Sequence, residues 1–333
     1  MNHKRFWKLA NRAFNVLLLI ALPVLLFLLL RATDWNEVFR LLREYRLSTL
    51  ALGMLIAFGS YGIFSSFDVL SRYYIGHPLP VRRVFTVAFV CNAFNLNLSS
   101  WVGAIALRYR LYGRLGMSTG DITRILTFSL ITNWYGYLLL AGVLFVCGFP
   151  NLPESWSLGQ SGLRAIGVLL LLLGAAYLLA CRFARRRAWG WKRYRLNLPT
   201  WRLAALQGLA GASNWSMMAL LIYSLLPSSA SYPEVLATLM ISSIAGVVLH
   251  VPAGLGVIET VFITVLHDHF SRGELVAALI GYRVLYFLIP LLLACLVYLW
   301  LERRAKKLRR RAERREAARR QGAPAISPAA DRG

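Results

Sequence analysis

The stretch His250-Val-Pro-Ala-Gly-Leu-Gly-Val-Ile-Glu259 lies inside an apolar region yet cannot form a plain membrane helix. Pro252 removes a backbone donor, and its ring clashes with the preceding turn. Gly254 and Gly256 loosen the backbone further. Glu259 then puts a carboxylate where hydrocarbon is expected. At a bilayer centre an acidic group costs roughly 2.5–3.5 kcal/mol, so it faces protein or a wet cavity. Irregular backbone at membrane depth is confined to the same places. The stretch therefore reads as a discontinuous element lining a site, and the rest of the chain has to be arranged around it.

Apolar runs of roughly 20 residues recur along the sequence, the signature of a polytopic helical membrane protein. They fall at about 13–31, 48–70, 122–146, 162–181, 203–226 and 274–301. Open sheets cannot sit in lipid, so the fold class is all-α. The first run follows Lys4, Arg5, Lys8 and Arg12 and shows no small-residue cleavage site, so it reads as a retained span and not a signal peptide. Asp34 to Ser48 begins like a capping box with Asp34 and Glu37, and Trp35, Val38, Phe39, Leu42 and Tyr45 recur at helical spacing. An interfacial helix on the outer surface is expected there. Cys91, Cys147, Cys181 and Cys295 are scattered through apolar segments, which suggests neither a disulfide framework nor a zinc site.

Charge sets the topology. The formal charge is +24, and most of it flanks apolar runs, where anionic lipid head groups are a better partner than nucleic acid. The run 84–107 is unusual: Asn92, Asn95, Asn97, Ser99 and Ser100 crowd its middle, followed by Gly103 and Arg108. If it crossed the membrane, the arginine-bearing 108–124 and the basic 182–202 would both lie outside, and the base-free loop 147–161 inside, against the positive-inside rule. A re-entrant hairpin at 84–107 removes all three conflicts, and the second broken element, 235–270, must then start and finish outside. Of the 38 Lys and Arg residues, all but Arg31, Arg40, Arg43, Arg46, Arg164, Arg272 and Arg283 become cytoplasmic. The expectation is about six full spans plus two re-entrant broken hairpins, with both termini in the cytoplasm. Residues 1–302 form the membrane domain, and 303–333 form a basic tail that runs along anionic head groups and ends in a disordered Ala-, Pro- and Gly-rich stretch.

The two odd elements align without gaps at an offset of 151 residues, which sets Asn95 on Gly246, Gly103 on Gly254 and Arg108 on Glu259. On the topology above the flanking spans run in opposite senses. That is the inverted repeat of many transporters, in which paired broken segments form the substrate site near the midplane. Arg108 and Glu259 would then face a shared cavity from opposite sides. Arg108 either holds a lipid phosphate with its bidentate fork or anchors the topology at the surface. Glu259 either pairs with an arginine, attracts a cationic head group or carries a proton, or it only satisfies the amides of the broken helix. Arg283 either pairs with Glu259 or snorkels to the outer interface. Asn92, Asn95, Asn97, His250, Pro252, Gly254 and Gly256 complete the candidate substrate-binding set, although a satisfied buried histidine is the blander reading of His250. Asn133 and Asn214 read as interhelical hydrogen-bonding residues. Asp68 stands four residues before Arg72, the favoured order for a helical ion pair. His267 and His269 are two apart and point to different helix faces, which argues against a metal site.

Pro252-Ala-Gly-Leu-Gly-Val-Ile-Glu259 resembles the signature of the lysylphosphatidylglycerol synthase transmembrane-region family. Asn97 through Gly103 and Arg108 resemble that family's earlier Asn…Gly…Arg segment, and Arg283 with Tyr286 and Pro290 its last-helix pattern. The earlier motif often has Pro before its glycine and an acid after it; here those places hold Ser100-Trp101 and Ala104. The resemblance covers nearly the whole chain. It implies movement of lipid between leaflets of a bacterial cytoplasmic (inner) membrane, as the family's flippase domains do with aminoacylated phosphatidylglycerol. It does not imply synthesis, which full-length members carry out in a large soluble C-terminal domain; here the last span is followed by a basic tail. No nucleophile–histidine pair, metal cluster or phosphate loop is legible, so the sequence predicts a non-enzyme without cofactor or metal. The leading expectation is a transporter of phospholipid or lipid-linked head groups. The alternative is a non-transporting accessory protein that partners a separate lipid-modifying enzyme. Homo-oligomerisation is left open.

Overall fold

The computed structural model describes residues 45–97, 105–152, 159–184, 188–191, 194–227, 229–248 and 254–303. The expected first span, most of the interfacial segment, Ser99, Ser100, Gly103, His250, Pro252 and the tail beyond Arg303 lie outside the described residues. Within them the protein is helical: α1 (Leu47–Ile75), α2 (Val81–Asn97), α3 (Leu107–Arg114), α4 (Thr119–Val146), α5 (Gly159–Phe183), α6 (Trp201–Leu225), α7 (Tyr232–Val248), α8 (Val257–Leu266) and α9 (Arg272–Arg303). The exception is an antiparallel pair of short strands, β1 (Ala188–Trp191) and β2 (Tyr194–Asn197), inside the basic 182–202 loop.

Four of these helices, α1, α4, α5 and α9, are long and apolar enough to cross a membrane. Helix α6 is as long as α5, at 25 residues, but Gln207, Ser213, Asn214 and Ser216 make it less apolar. It packs against α1, α4, α5 and α7. Glycines let it approach α4 closely: a Cβ on Gly136 would sit 2.2 Å from the Gly211 carbonyl carbon, so neither position has room for a side chain. Helix α5 shows the opposite character. Ile166, Leu169, Leu172, Leu173 and Leu179 point outward, as expected of a surface against hydrocarbon.

Two antiparallel helical hairpins are set into this frame. In the first, Tyr112 Oη near the end of α3 lies 3.2 Å from Val84 O near the start of α2, while Arg108, one turn closer to the tip, donates to Asn92 Oδ1 (2.8 Å). In the second, Gly246 and Gly254 meet at the tip, where a Cβ on Gly246 would lie 3.5 Å from Gly254 Cα. Glu234 at the start of α7 and Leu266 at the end of α8 line one small cleft, together with Pro150 to Leu152 from the end of α4. The return arm of the first hairpin continues to Arg114, past the expected limit of residue 107, because Leu107, Arg108, Leu111 and Tyr112 turn into the protein and not into a solvated loop. Helices α2 and α7 start at the offset found in the sequence: Val81 plus 151 is Tyr232.

The helix ends fall into two sets. Tyr45 and Thr49 at the start of α1, Leu225 to Pro227 at the end of α6, and Gly273 and Glu274 at the start of α9 line a cleft of about 500 Å³. At the other end of α9, Glu302 accepts from Arg110 Nη2 (2.8 Å) and Arg114 Nη1 (2.5 Å) of α3.

Candidate functional site

Burying a charge is costly unless it is paired and hydrogen-bonded, and the first hairpin meets that condition fully. Asp68 of α1 is completely buried and Arg108 is 4% exposed. Arg108 grips the carboxylate with both arms of its fork, Nε to Oδ2 and Nη2 to Oδ1, each 3.1 Å. Oδ2 also accepts from Tyr112 Oη (2.8 Å) and Oδ1 from Ser129 Oγ of α4 (2.6 Å). One carboxylate thus ties together α1, α3 and α4, and Asn92 brings in α2. Asp68 does not pair with Arg72, whose Nε donates to Leu79 O (2.7 Å). The buried guanidinium out-competes the local helix neighbour because its charge has no water to fall back on.

The second hairpin carries a more open pair. Gly254 (φ 59°) and Gly256 (φ 78°) adopt left-handed backbone that permits the break before α8. Glu259 in the first turn accepts the Gly256 amide on Oε2 (2.8 Å) and Arg283 Nε on Oε1 (2.5 Å). Arg283 Nη2 reaches Gly254 O (3.3 Å). The Arg283 side chain is 9% exposed and that of Glu259 is 26%, so the pair presents its acidic member outward. An acid at a helix N-terminus is also favoured by the helix dipole.

Helix α9 joins the two hairpins. Residues Arg283–Leu288 form a π-helical segment, a local widening common at functional positions. Its carbonyls take side-chain donors: Asn97 Nδ2, at the end of α2, reaches Phe287 O (3.2 Å) and Tyr61 Oη reaches Tyr286 O (3.1 Å). Tyr286 Oη and Asn214 Oδ1 both lie 2.9 Å from Ser60 Oγ, which links α1, α6 and α9. Tyr282 stacks on Tyr286 with ring centroids 5.4 Å apart. Among the described residues, no group of three His, Cys, Asp or Glu side chains is arranged to hold a metal ion.

The family model described as the lysylphosphatidylglycerol synthase TM region matches residues 15–294, and so spans both hairpins and the segments between them. The chain belongs to the lysylphosphatidylglycerol synthase TM-region family. It is a membrane-embedded protein. Among relatives of this family member, the inner membrane protein YbhN of Escherichia coli (strain K12) is 47% identical over 315 residues, covering 94% of this chain and 98% of that protein. Uncharacterized protein slr0712 of Synechocystis sp. is 29% identical over 262 residues, covering 77% of this chain and 80% of its own length.

Of the residues expected to form one site in this family member, the structure brings together two groups. Arg108 and Asn92 belong to the Asp68 cluster, whereas Glu259, Gly254 and Gly256 of the second hairpin are joined by Arg283 of α9. Arg108 and Glu259, expected to face each other, each have a different partner. Asn97 spans the distance from the first hairpin to α9, while Asn95 Oδ1, Asn97 Oδ1 and Asn92 Nδ2 are buried without a hydrogen-bond partner. Asn214 bridges helices as expected. Tyr112, Ser129 and Ser60 did not stand out by polarity within apolar runs, and Tyr286 was marked only by the family resemblance. The available signal for Tyr112, Ser129 and Tyr286 was a place one helical turn from a charged or amide residue, as with Arg108 and Tyr112; Ser60 has no such neighbour.

Proposed function

We propose that this protein carries the polar head group of a phospholipid or lipid-linked molecule across the cytoplasmic membrane, without chemistry on the lipid, using two re-entrant hairpins of an inverted repeat. Support for the repeat comes from the helix ends. Helix α1 starts where α9 starts and α6 ends, and α9 ends beside the base of the first hairpin. The unit α1–hairpin–α4 therefore runs opposite to the unit α6–hairpin–α9, as in transporters with discontinuous helices. The observation that carries the functional reading is the Glu259–Arg283 pair. It joins a broken helix to the π-segment of α9 and is open on its acidic side, whereas a merely structural pair would be closed like Asp68–Arg108. A head group can exchange for one member of such a pair while its acyl chains stay in the bilayer. The likeness to YbhN, an inner membrane protein, supports an inner-membrane location, and the charge distribution supports cytoplasmic termini.

The closed Asp68–Arg108 cluster favours a second reading, an accessory protein that partners a lipid-modifying enzyme, since Arg108 has no fork left for a phosphate. Reconstitution separates the two. Purified protein in liposomes with fluorescent anionic, zwitterionic and aminoacylated lipids accelerates exchange between leaflets if it is a transporter. No acceleration for any of them under any imposed ion gradient supports the accessory role.

A further inference from the structure

The outward face of α8 differs from the outward face of α5. Gly256 and Thr260 are exposed, Thr264 is half-buried and His267 is exposed, a polar stripe at spacings of four, four and three. The opposite face, with Ile258, Val261, Phe262, Val265 and Leu266, is buried. The stripe begins beside Glu259 at the hairpin tip and ends at His267, Asp268 and His269, which are exposed at the base of the hairpin. Its hydroxyls are occupied as donors: Thr260 Oγ1 gives its hydrogen to Gly256 O (2.6 Å) and Thr264 Oγ1 to Thr260 O (2.7 Å). What they present outward is lone pairs. Between Glu259 at one end and the His267–Asp268 pair at the other (Nε2 to Oδ1, 3.2 Å), the two threonines offer hydrogen-bond acceptors.

We infer that this face of α8 is the path along which a head group bearing hydrogen-bond donors, an ammonium or hydroxyls, moves between the membrane surface and the Glu259–Arg283 pair. Threonines that back-bond within a helix are tolerated against lipid, so hydroxyls alone do not mark a wet face. The stripe connects a charged surface patch to a charged site at the hairpin tip, and α5 shows what this protein presents where only hydrocarbon is met. The acceptor character selects a lipid whose head group can donate over one that cannot. The inference rests on the transport reading for its direction of use, but the wetness of the stripe stands apart from it.

The test uses the full chain in proteoliposomes, with Cys91, Cys147, Cys181 and Cys295 replaced by alanine. Thr260→Cys, Thr264→Cys and, on α5, Leu169→Cys are exposed to a charged, membrane-impermeant thiol reagent. The two stripe positions label about 70-fold faster or more than position 169, a ratio equivalent to roughly 2.5 kcal/mol for a charge entering hydrocarbon. Labelling as slow as at position 169 overturns the inference, whatever the transport assay gives. A wet stripe in a protein that moves no lipid overturns the transport reading instead. The second arm compares acyl-labelled phosphatidylethanolamine, phosphatidylglycerol and phosphatidylcholine, whose head groups donate from an ammonium, from hydroxyls and not at all. The native protein moves one or both donors faster than phosphatidylcholine, Thr260→Val with Thr264→Val loses that preference, and Thr260→Ser keeps it. Equal rates for all three lipids in the native protein overturn the donor selectivity.

Discussion

Replacing Arg108 by methionine keeps most of the side-chain volume and removes the charge that neutralises Asp68. The carboxylate is fully buried and cannot turn to water. Removing one member of a buried pair costs about 3–5 kcal/mol. The hydrogen bonds from Tyr112 and Ser129 remain on Asp68, so the lower end, about 3 kcal/mol, is expected. At about 2 °C per kcal/mol for a chain of this size, the apparent Tm falls by roughly 6 °C. The assay is thermal unfolding in detergent, followed by the loss of monodisperse protein. A double-mutant cycle isolates the cause. Asp68→Asn alone leaves Arg108 buried without its partner and is destabilising, but in the Arg108→Met background it removes the stranded charge and raises the Tm. The coupling is about 2–3 kcal/mol. Additive losses, or an Arg108→Met variant that melts with the native protein, would refute the argument that this pair holds α1, α3 and α4 together.

Two further outcomes are expected from the packing. Gly136→Ala pushes a methyl group into the backbone of Gly211 and lowers stability by about 3 kcal/mol or abolishes folding, whereas Gly113→Ala, which meets nothing within 4 Å, is neutral or slightly stabilising in the same melting assay. Tyr286→Phe removes one partner of Ser60 but leaves its bond to Asn214; a loss of about 1 kcal/mol is expected, and a loss as large as that of Arg108→Met would assign Tyr286 a larger role.

The breaks and their charges were legible because each violates a strong rule. A proline, two glycines and an acid within ten residues of an apolar region have few explanations in a bilayer, and the positive-inside rule led to reading two such segments as hairpins. The offset of 151 residues also carried through to the starts of α2 and α7, Val81 and Tyr232. Partner choice was less legible. Asp68 has an arginine at the ideal local spacing and another forty residues away, and only the depth of burial decides for Arg108. The sequence could place Arg108 and Glu259 at corresponding positions, but it could not show that the first site is filled from α1 and the second from α9. The π-segment was invisible for a related reason: Arg283–Leu288 has no composition of its own, and its extra width is fixed by Asn97 and Tyr61 reaching its carbonyls from other helices. The hydroxyl stripe on α8 was spread over a period too sparse to stand out among the buried aliphatic residues.

The most direct test of the account is leaflet exchange of labelled phospholipid by four reconstituted proteins: the native chain, Glu259→Gln, Arg283→Gln, and the exchanged pair Glu259→Arg with Arg283→Glu. The account predicts that the native protein accelerates exchange, that each single variant loses the acceleration while remaining folded, and that the exchanged pair recovers part of it. Native-like exchange in both single variants would contradict it, since lipid would then be moving without the pair on which the mechanism depends.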